Sequence, residues 1–155
     1  PDNGTTFNIY LPAVESTEEP SLEENNEIHI VRGSGKILVV DDEETMLNTA
    51  SIMLKEAGYN PVTYANSEEA VEFFKNNHSE IKAVLLDMSM PKLSGKDTYI
   101  ELKKIQPNVK VIIASGFEYD KRVSATIELG AKAFIKKPYE IYQLAQLVAD
   151  IIENN

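Results

Sequence analysis

Lys36-Ile37-Leu38-Val39-Val40-Asp41-Asp42 sets four apolar residues directly before two adjacent carboxylates. Three later runs share that construction. Ala83-Val84-Leu85-Leu86 ends on Asp87, Val111-Ile112-Ile113-Ala114 on Ser115, and Ala133-Phe134-Ile135 leads through Lys136 to Lys137 and Pro138. Short runs that are β-branched or apolar throughout suit strands buried on both faces of a parallel sheet, because neither face meets water. Their polar residues then fall at strand C-termini. In an open α/β sheet, ligands bind along that edge where the strand order reverses.

Between the runs the pattern changes to helical, and alternation of the two is the signature of repeated βαβ units. Met46, Ala50, Met53, Leu54 and Ala57 form one apolar stripe, with Gly58 placed to stop the helix and Pro61 opening a strand through Ala65. Asn66 and Ser67 are N-cap types, Glu69 completes a capping-box spacing, and Ala70, Val71, Phe73 and Phe74 supply the buried face of a second helix. A third helix is expected from about Lys96 to Ile105, before Pro107, and a fourth from about Tyr119 to Leu129, before Gly130. Ile141, Leu144, Ala145, Val148, Ile151 and Ile152 repeat at i, i+3, i+4 spacing along a closing helix. The expected fold is α/β: a compact doubly wound parallel sheet of five βα units.

The chain has 155 residues, about one domain. Its 43% hydrophobic and 26% charged residues are ordinary for a soluble globular protein, and no apolar run approaches the roughly 20 residues that span a bilayer. A net charge of -10 argues against a nucleic-acid partner, since phosphate backbones are bound by basic patches. The absence of cysteine excludes disulfides and thiol chemistry and fits a cytoplasmic location.

Residues 1–35 differ from the rest, with seven acids against one base, Arg32. Thr6-Phe7-Asn8-Ile9-Tyr10-Leu11 alternates with period two and stops at Pro12, the pattern of one half-buried strand. Residues 13–35 read as a flexible acidic linker, too poor in large apolar residues to offset its ordering entropy. It contains a weaker alternation at Glu27–Arg32 and ends in the joint Gly33-Ser34-Gly35. The folded domain is expected over 36–155. Because the chain begins at Pro1 rather than Met, it is expected to be a piece of a longer protein.

Asp41, Asp42 and Asp87, brought together, repel one another unless a cation neutralises them. Hard carboxylate oxygens in a hydrated site favour Mg²⁺, which keeps several waters and completes its shell with phosphate oxygens. In such a site one carboxylate can act as nucleophile and form an acyl phosphate. Asp87, alone at its strand end, suits that role, and the Asp41-Asp42 pair suits the metal. A phosphoryl group in transfer carries charge on its equatorial oxygens, which Lys137 and Ser115 are placed to meet. The Lys137-Pro138 bond is a candidate for the cis form. His29 and His78 have no second metal-type side chain nearby in sequence and read as surface residues.

Four motifs resemble the receiver domains of two-component response regulators over roughly Lys36–Asn155. They are Ile37-Leu-Val-Val-Asp-Asp-Glu, Leu85-Leu-Asp-Met-Ser-Met-Pro, Ile112-Ile-Ala-Ser-Gly and Gly130-Ala-Lys-Ala-Phe-Ile-Lys-Lys-Pro. The resemblance implies the flavodoxin-like strand order 2-1-3-4-5 and Asp87 as phosphoacceptor. It implies Asp42 as a direct Mg²⁺ ligand, Asp41 as a ligand through water, and the Ser89 carbonyl as a further ligand. Ser115 would be the hydroxyl that turns to the phosphoryl group, Lys137 its cationic partner and Phe134 the aromatic switch residue. Ser89 and Phe117 would border the path of the attacking water.

Gly4-Thr-Thr-Phe-Asn-Ile-Tyr-Leu-Pro is similar to the last strand of a histidine kinase ATP-binding domain, so residues 1–12 are expected to be its remnant. Together the two likenesses imply the C-terminal receiver of a hybrid sensor histidine kinase. Its expected partners are a phosphohistidine donor and a histidine phosphotransfer protein. Homodimerisation through the last two helices, or through the N-terminal strand, is a further expectation.

Two other classes fit parts of the pattern. One is an interaction module that binds Mg²⁺ without being phosphorylated. The other is a phosphatase of similar fold, against which stand the lack of an Asp-x-Asp pair at Asp87 and of an obvious cap domain.

Overall fold

The computed structural model describes residues 4, 7–10, 29–91, 93–116 and 121–153. Five strands, β1 (Lys36–Val40), β2 (Asn60–Tyr64), β3 (Ile81–Asp87), β4 (Val111–Ser115) and β5 (Ala133–Lys136), form one sheet. Its order is β2-β1-β3-β4-β5 and every pairing is parallel. Among the described residues, five helices connect and close it: α1 (Glu44–Glu56), α2 (Ser67–Asn77), α3 (Gly95–Ile105), α4 (Lys121–Glu128) and α5 (Ile141–Glu153). A 3-10 turn, His78–Glu80, leads into β3.

The strands are apolar without alternation because the sheet has a core on each face. Ile37, Val39, Leu85 and Ile112 join Leu47, Leu54, Leu144 and Val148 in the core under α1 and α5. Their neighbours Leu38, Val40, Leu86 and Ile113 join Phe74, Tyr99, Leu102 and Val123 in the core under α2, α3 and α4. Each fully buried side chain of this size contributes about 1.5–3 kcal/mol from burial.

Element ends follow local hydrogen bonding. β2 lies one residue earlier than expected because the Asn60 N–H is held by the Gly35 carbonyl at 2.9 Å. The side-chain oxygen of Asn66 accepts from the N–H groups of Glu68 (2.8 Å) and Glu69 (3.3 Å), opening α2. Ser94 opens α3: its hydroxyl accepts from the Asp97 N–H and donates to the Asp97 carboxylate at 2.7 Å. α1 stops at Gly58, whose φ of +90° is the left-handed conformation that side chains resist. The expected start of the fourth helix at Tyr119, together with Phe117, lies outside the described residues.

The strand expected over Thr6–Leu11 is absent in its described part. Residues 7–10 carry no strand, and Phe7, Ile9 and Tyr10 are 84%, 82% and 90% exposed. A strand needs a neighbour for its N–H and C=O groups, and among the described residues no β-strand pairs with these. Residues 29–32 are likewise not a strand, although Ile30 packs against the α1/α5 core. His29 is exposed, while His78 is half-buried with its ring 6.1 Å from that of Phe74. Residues 11–28, most of the expected linker, are outside the described residues. Among those described, no helix is long and apolar enough to cross a membrane.

Candidate functional site

Parallel pairing puts the chemistry-bearing residues at one edge. Val40 pairs with Leu86, so Asp41, the residue after β1, stands beside Asp87, the last residue of β3. This is where strand order reverses, with β2 on one side of β1 and β3 on the other. Asp87 in turn pairs with Ala114, and Ser115 with Lys136. The edge is pinned by main chain beyond the strands: Asp41 N–H to Tyr64 O, Met88 N–H to Ala114 O, and Lys137 N–H to Ser115 O at 2.9 Å.

Lys137 reaches past the end of β4 to the first and third strands. Its Nζ donates to Asp41 Oδ2 at 2.5 Å and to Asp87 Oδ1 at 2.6 Å. All three side chains are largely buried, at 14%, 6% and 5% exposure, so the ion pairs are only weakly screened by solvent. The other carboxylate oxygens are held locally. Asp87 Oδ2 accepts from the Ser89 N–H at 2.7 Å, and Asp41 Oδ1 from the Glu43 N–H at 3.1 Å.

Burial pushes the Asp41 carboxyl above its ordinary range, while the hydrogen bonds from Lys137 and Glu43 pull the other way. Burial also works to lower the Lys137 pKa. The hydrogen bonds and negative charges of Asp41 and Asp87 outweigh it and hold the ammonium above its ordinary value.

Asp42, the exposed member of the acid pair, completes the cluster. Asp41, Asp42 and Asp87 each offer a carboxylate oxygen, and these lie within 4.8 Å of one another. Three hard oxygen donors, one of them on the solvent side, fit a Mg²⁺ ion that keeps part of its water shell. Ser89 is exposed two residues after Asp87, and Ser115 is fully buried at the end of β4. Lys136 is exposed beside Lys137, and the Lys137-Pro138 bond is cis. Phe134 is half-buried against the α2/α3/α4 core.

Two residues not singled out from the sequence border the site. Tyr139, 9% exposed in the α1/α5 core, has its pKa pushed up to about 12, chiefly by burial. Its position after Pro138 was the only sequence signal. Gly95, the buried first residue of α3, lies against the main chain of Asp87. Ser94 before it, as an N-cap type three residues ahead of Asp97, was a signal for the helix start but not for that contact.

The chain is 29% identical over 163 residues to the sensor kinase CckA of Brucella abortus, matching 97% of this chain but 17% of that protein. It is 37% identical over 106 residues to the chemotaxis protein CheY of Thermotoga maritima, across 68% of this chain and 87% of that one. The chain thus spans under a fifth of the kinase and most of the small chemotaxis protein. Among solved structures, the CheX-CheY-BeF3-Mg²⁺ complex of Borrelia burgdorferi superposes with a TM-score of 0.72 at 30% identity, covering 76% of this chain and 88% of that one. Residues 37–149 match the response regulator receiver domain family. With its five parallel strands in the order 2-1-3-4-5 and an acidic pocket at the switch point, this chain belongs to the response regulator receiver domains of two-component signalling.

Proposed function

We propose that this receiver accepts a phosphoryl group from a phosphohistidine onto Asp87 with the help of Mg²⁺. The observation that carries this reading is the double hydrogen bond of Lys137 to Asp41 and Asp87, with Asp42 in reach of both carboxylates. It gathers a nucleophile, a cation and a metal-type donor set at one point.

In the proposed step Asp87 attacks phosphorus in line with the leaving imidazole nitrogen. The P–N bond breaks, a P–O bond forms, and the imidazole takes up a proton as it leaves. Asp42, Asp87 and the Ser89 carbonyl would hold the metal directly and Asp41 through water; when bound, it would offset charge on the phosphoryl oxygens and the repulsion between carboxylates. Lys137 stays with the phosphoryl group as a point charge, and Ser115 turns its hydroxyl to the remaining oxygen. Loss of phosphate by water attack, or passage to a histidine phosphotransfer protein, resets the site.

The new group adds about -1.5 to -2 of charge near pH 7. Ser115 on β4 and Phe134 on β5 then relay the change to the face formed by α4, β5 and α5. Residues 36–155 form the receiver, 13–35 an acidic tether and 1–12 the end of a kinase ATP-binding domain. The whole is read as the cytoplasmic C-terminal part of a hybrid sensor histidine kinase, supported by the match to the Brucella abortus kinase along nearly this entire chain. The structure of the Borrelia burgdorferi relative with BeF3 and Mg²⁺ supports the metal-assisted reading.

The test is intact mass after incubation with Mg²⁺ and acetyl phosphate or phosphoramidate. One added phosphoryl group, lost in Asp87→Asn and with chelator, is expected. No gain from either donor would favour the alternative, an interaction module that is not phosphorylated.

A further inference from the structure

We infer that Gly95 is a positioning residue that sets where Asp87 and the following metal-facing backbone sit; this rests on the phosphoacceptor reading above. Gly95 and Asp87, eight positions apart in sequence, meet main chain to main chain. A Cβ built on Gly95 would lie 2.2 Å from the Asp87 carbonyl oxygen, 2.7 Å from Met88 Cα and 3.0 Å from the Asp87 carbonyl carbon. All three neighbours are main chain, so no flexible side chain can swing aside.

Neither wall of this contact can retreat cheaply. Asp87 pairs with Ala114, and the Met88 N–H donates to the Ala114 carbonyl at 3.1 Å. Backing away would break the β3–β4 ladder at its end. On the other side, the fully buried Thr98 donates its hydroxyl to the Ser94 carbonyl at 2.9 Å and ties the residue before Gly95 to the body of α3, so the first turn moves only with the helix. One turn on, Tyr99 is 1% exposed and its hydroxyl donates to the Leu129 carbonyl. Between the walls, the Ser67 hydroxyl donates to the Leu93 carbonyl at 3.1 Å and anchors the middle of the loop to α2.

A side chain at position 95 therefore has to open the contact by about 1 Å to reach ordinary van der Waals separation. The displaced group is the phosphoacceptor's own main chain. Its carboxylate oxygens are held at 2.6 Å by Lys137 and 2.7 Å by the Ser89 N–H, so such a shift spoils both. A misplacement of about 1 Å can cost about 100-fold in a positioned reaction. The absence of a side chain at 95 thus serves the site as well as helix packing.

The experiment compares the wild-type 155-residue chain with Gly95→Ala, Thr98→Val and, as a destabilising control in the core on the other face of the sheet, Leu54→Val. Mg²⁺ affinity is measured by calorimetric titration, phosphoryl gain from acetyl phosphate by intact mass, and thermal midpoint by circular dichroism. Gly95→Ala is expected to weaken Mg²⁺ binding at least about tenfold and to slow phosphoryl gain about 10–100-fold. Thr98→Val should shift both in the same direction by less. Leu54→Val should lower the midpoint while leaving Mg²⁺ affinity within about twofold of wild type. If Gly95→Ala does not fold, Thr98→Val carries the comparison. Wild-type Mg²⁺ affinity in whichever of the two folds overturns the inference, as does an equal loss in Leu54→Val. A wild-type chain that neither binds Mg²⁺ nor gains phosphate overturns the proposed function and this inference together.

Discussion

Lys137 Nζ bridges Asp41 and Asp87 at 2.5 and 2.6 Å, so one ammonium faces two buried carboxylates at the switch point of the sheet and offsets one of their two negative charges. It holds part of the charge balance that a divalent cation would otherwise supply there, and a bound cation would compete with it for the same oxygens. Lys137→Met should therefore raise Mg²⁺ affinity several-fold. The same change should slow phosphoryl gain about 10²–10³-fold, because the donor facing the transferred group is gone. Titration calorimetry and time-resolved intact mass check the two halves separately. Unchanged or weaker Mg²⁺ binding would contradict the competition.

Asp42 is the exposed member of the metal-type cluster and carries little of the core. Asp42→Asn is expected to weaken Mg²⁺ binding at least about tenfold while changing stability by under about 0.5 kcal/mol. Urea denaturation in chelator, set beside Mg²⁺ titration, checks this. A large stability change would mean that Asp42 has a structural task.

Alkali should weaken the fold. The Tyr139 pKa is pushed up to about 12 by burial, and burial also raises those of Tyr59 and Tyr99. A pKa raised on folding gives stability that is fully present below the unfolded value, about 10 for tyrosine, and lost as pH rises through the folded value. Lys137, also raised, acts in the same direction above its ordinary value of 10.5. Stability should fall between about pH 10 and 12, with Tyr139 alone contributing on the order of 2–3 kcal/mol. Urea midpoints at pH 8, 10 and 11 test this, and Tyr139→Phe should flatten the decline.

Gly58 ends α1 at φ +90°, and a Cβ there would fall 2.6 Å from the Gly33 carbonyl oxygen. Gly58→Ala combines left-handed strain, about 1–2 kcal/mol, with a backbone clash. A loss of at least about 2 kcal/mol is expected from urea unfolding, with Mg²⁺ affinity unchanged because Gly58 is remote from the carboxylates. A loss under about 0.5 kcal/mol would mean that the Gly33 strand entry is not packed as described.

Most of the architecture was legible locally. Ile37–Val40, Val84–Leu86 and Val111–Ala114 could only be strands covered on both faces, and that requires helices on both sides of a parallel sheet. Helix ends were legible where a cap or a stop is chemical, as at Asn66 and Gly58. Thr6–Leu11 shows the converse. A period-two pattern states which face a strand would bury, but pairing needs a neighbour, and among the described residues 7–10 have no strand partner.

The order of residue types along the chain determined by itself that Asp41, Asp42, Asp87, Ser115 and Lys137 stand at strand C-termini, since each lies within two residues of the end of an apolar run. It could not determine how far Lys137 reaches. Only the strand order, with β1 and β3 adjacent and β5 two places away, lets one side chain from residue 137 meet carboxylates from residues 41 and 87. Nor could it show that Gly95 rests on the Asp87 carbonyl, because a contact between two stretches of main chain depends on how α3 seats against β3 and leaves no periodic trace. Local pattern reports burial and chain direction; distances between residues far apart in sequence are set by the packing of the whole sheet.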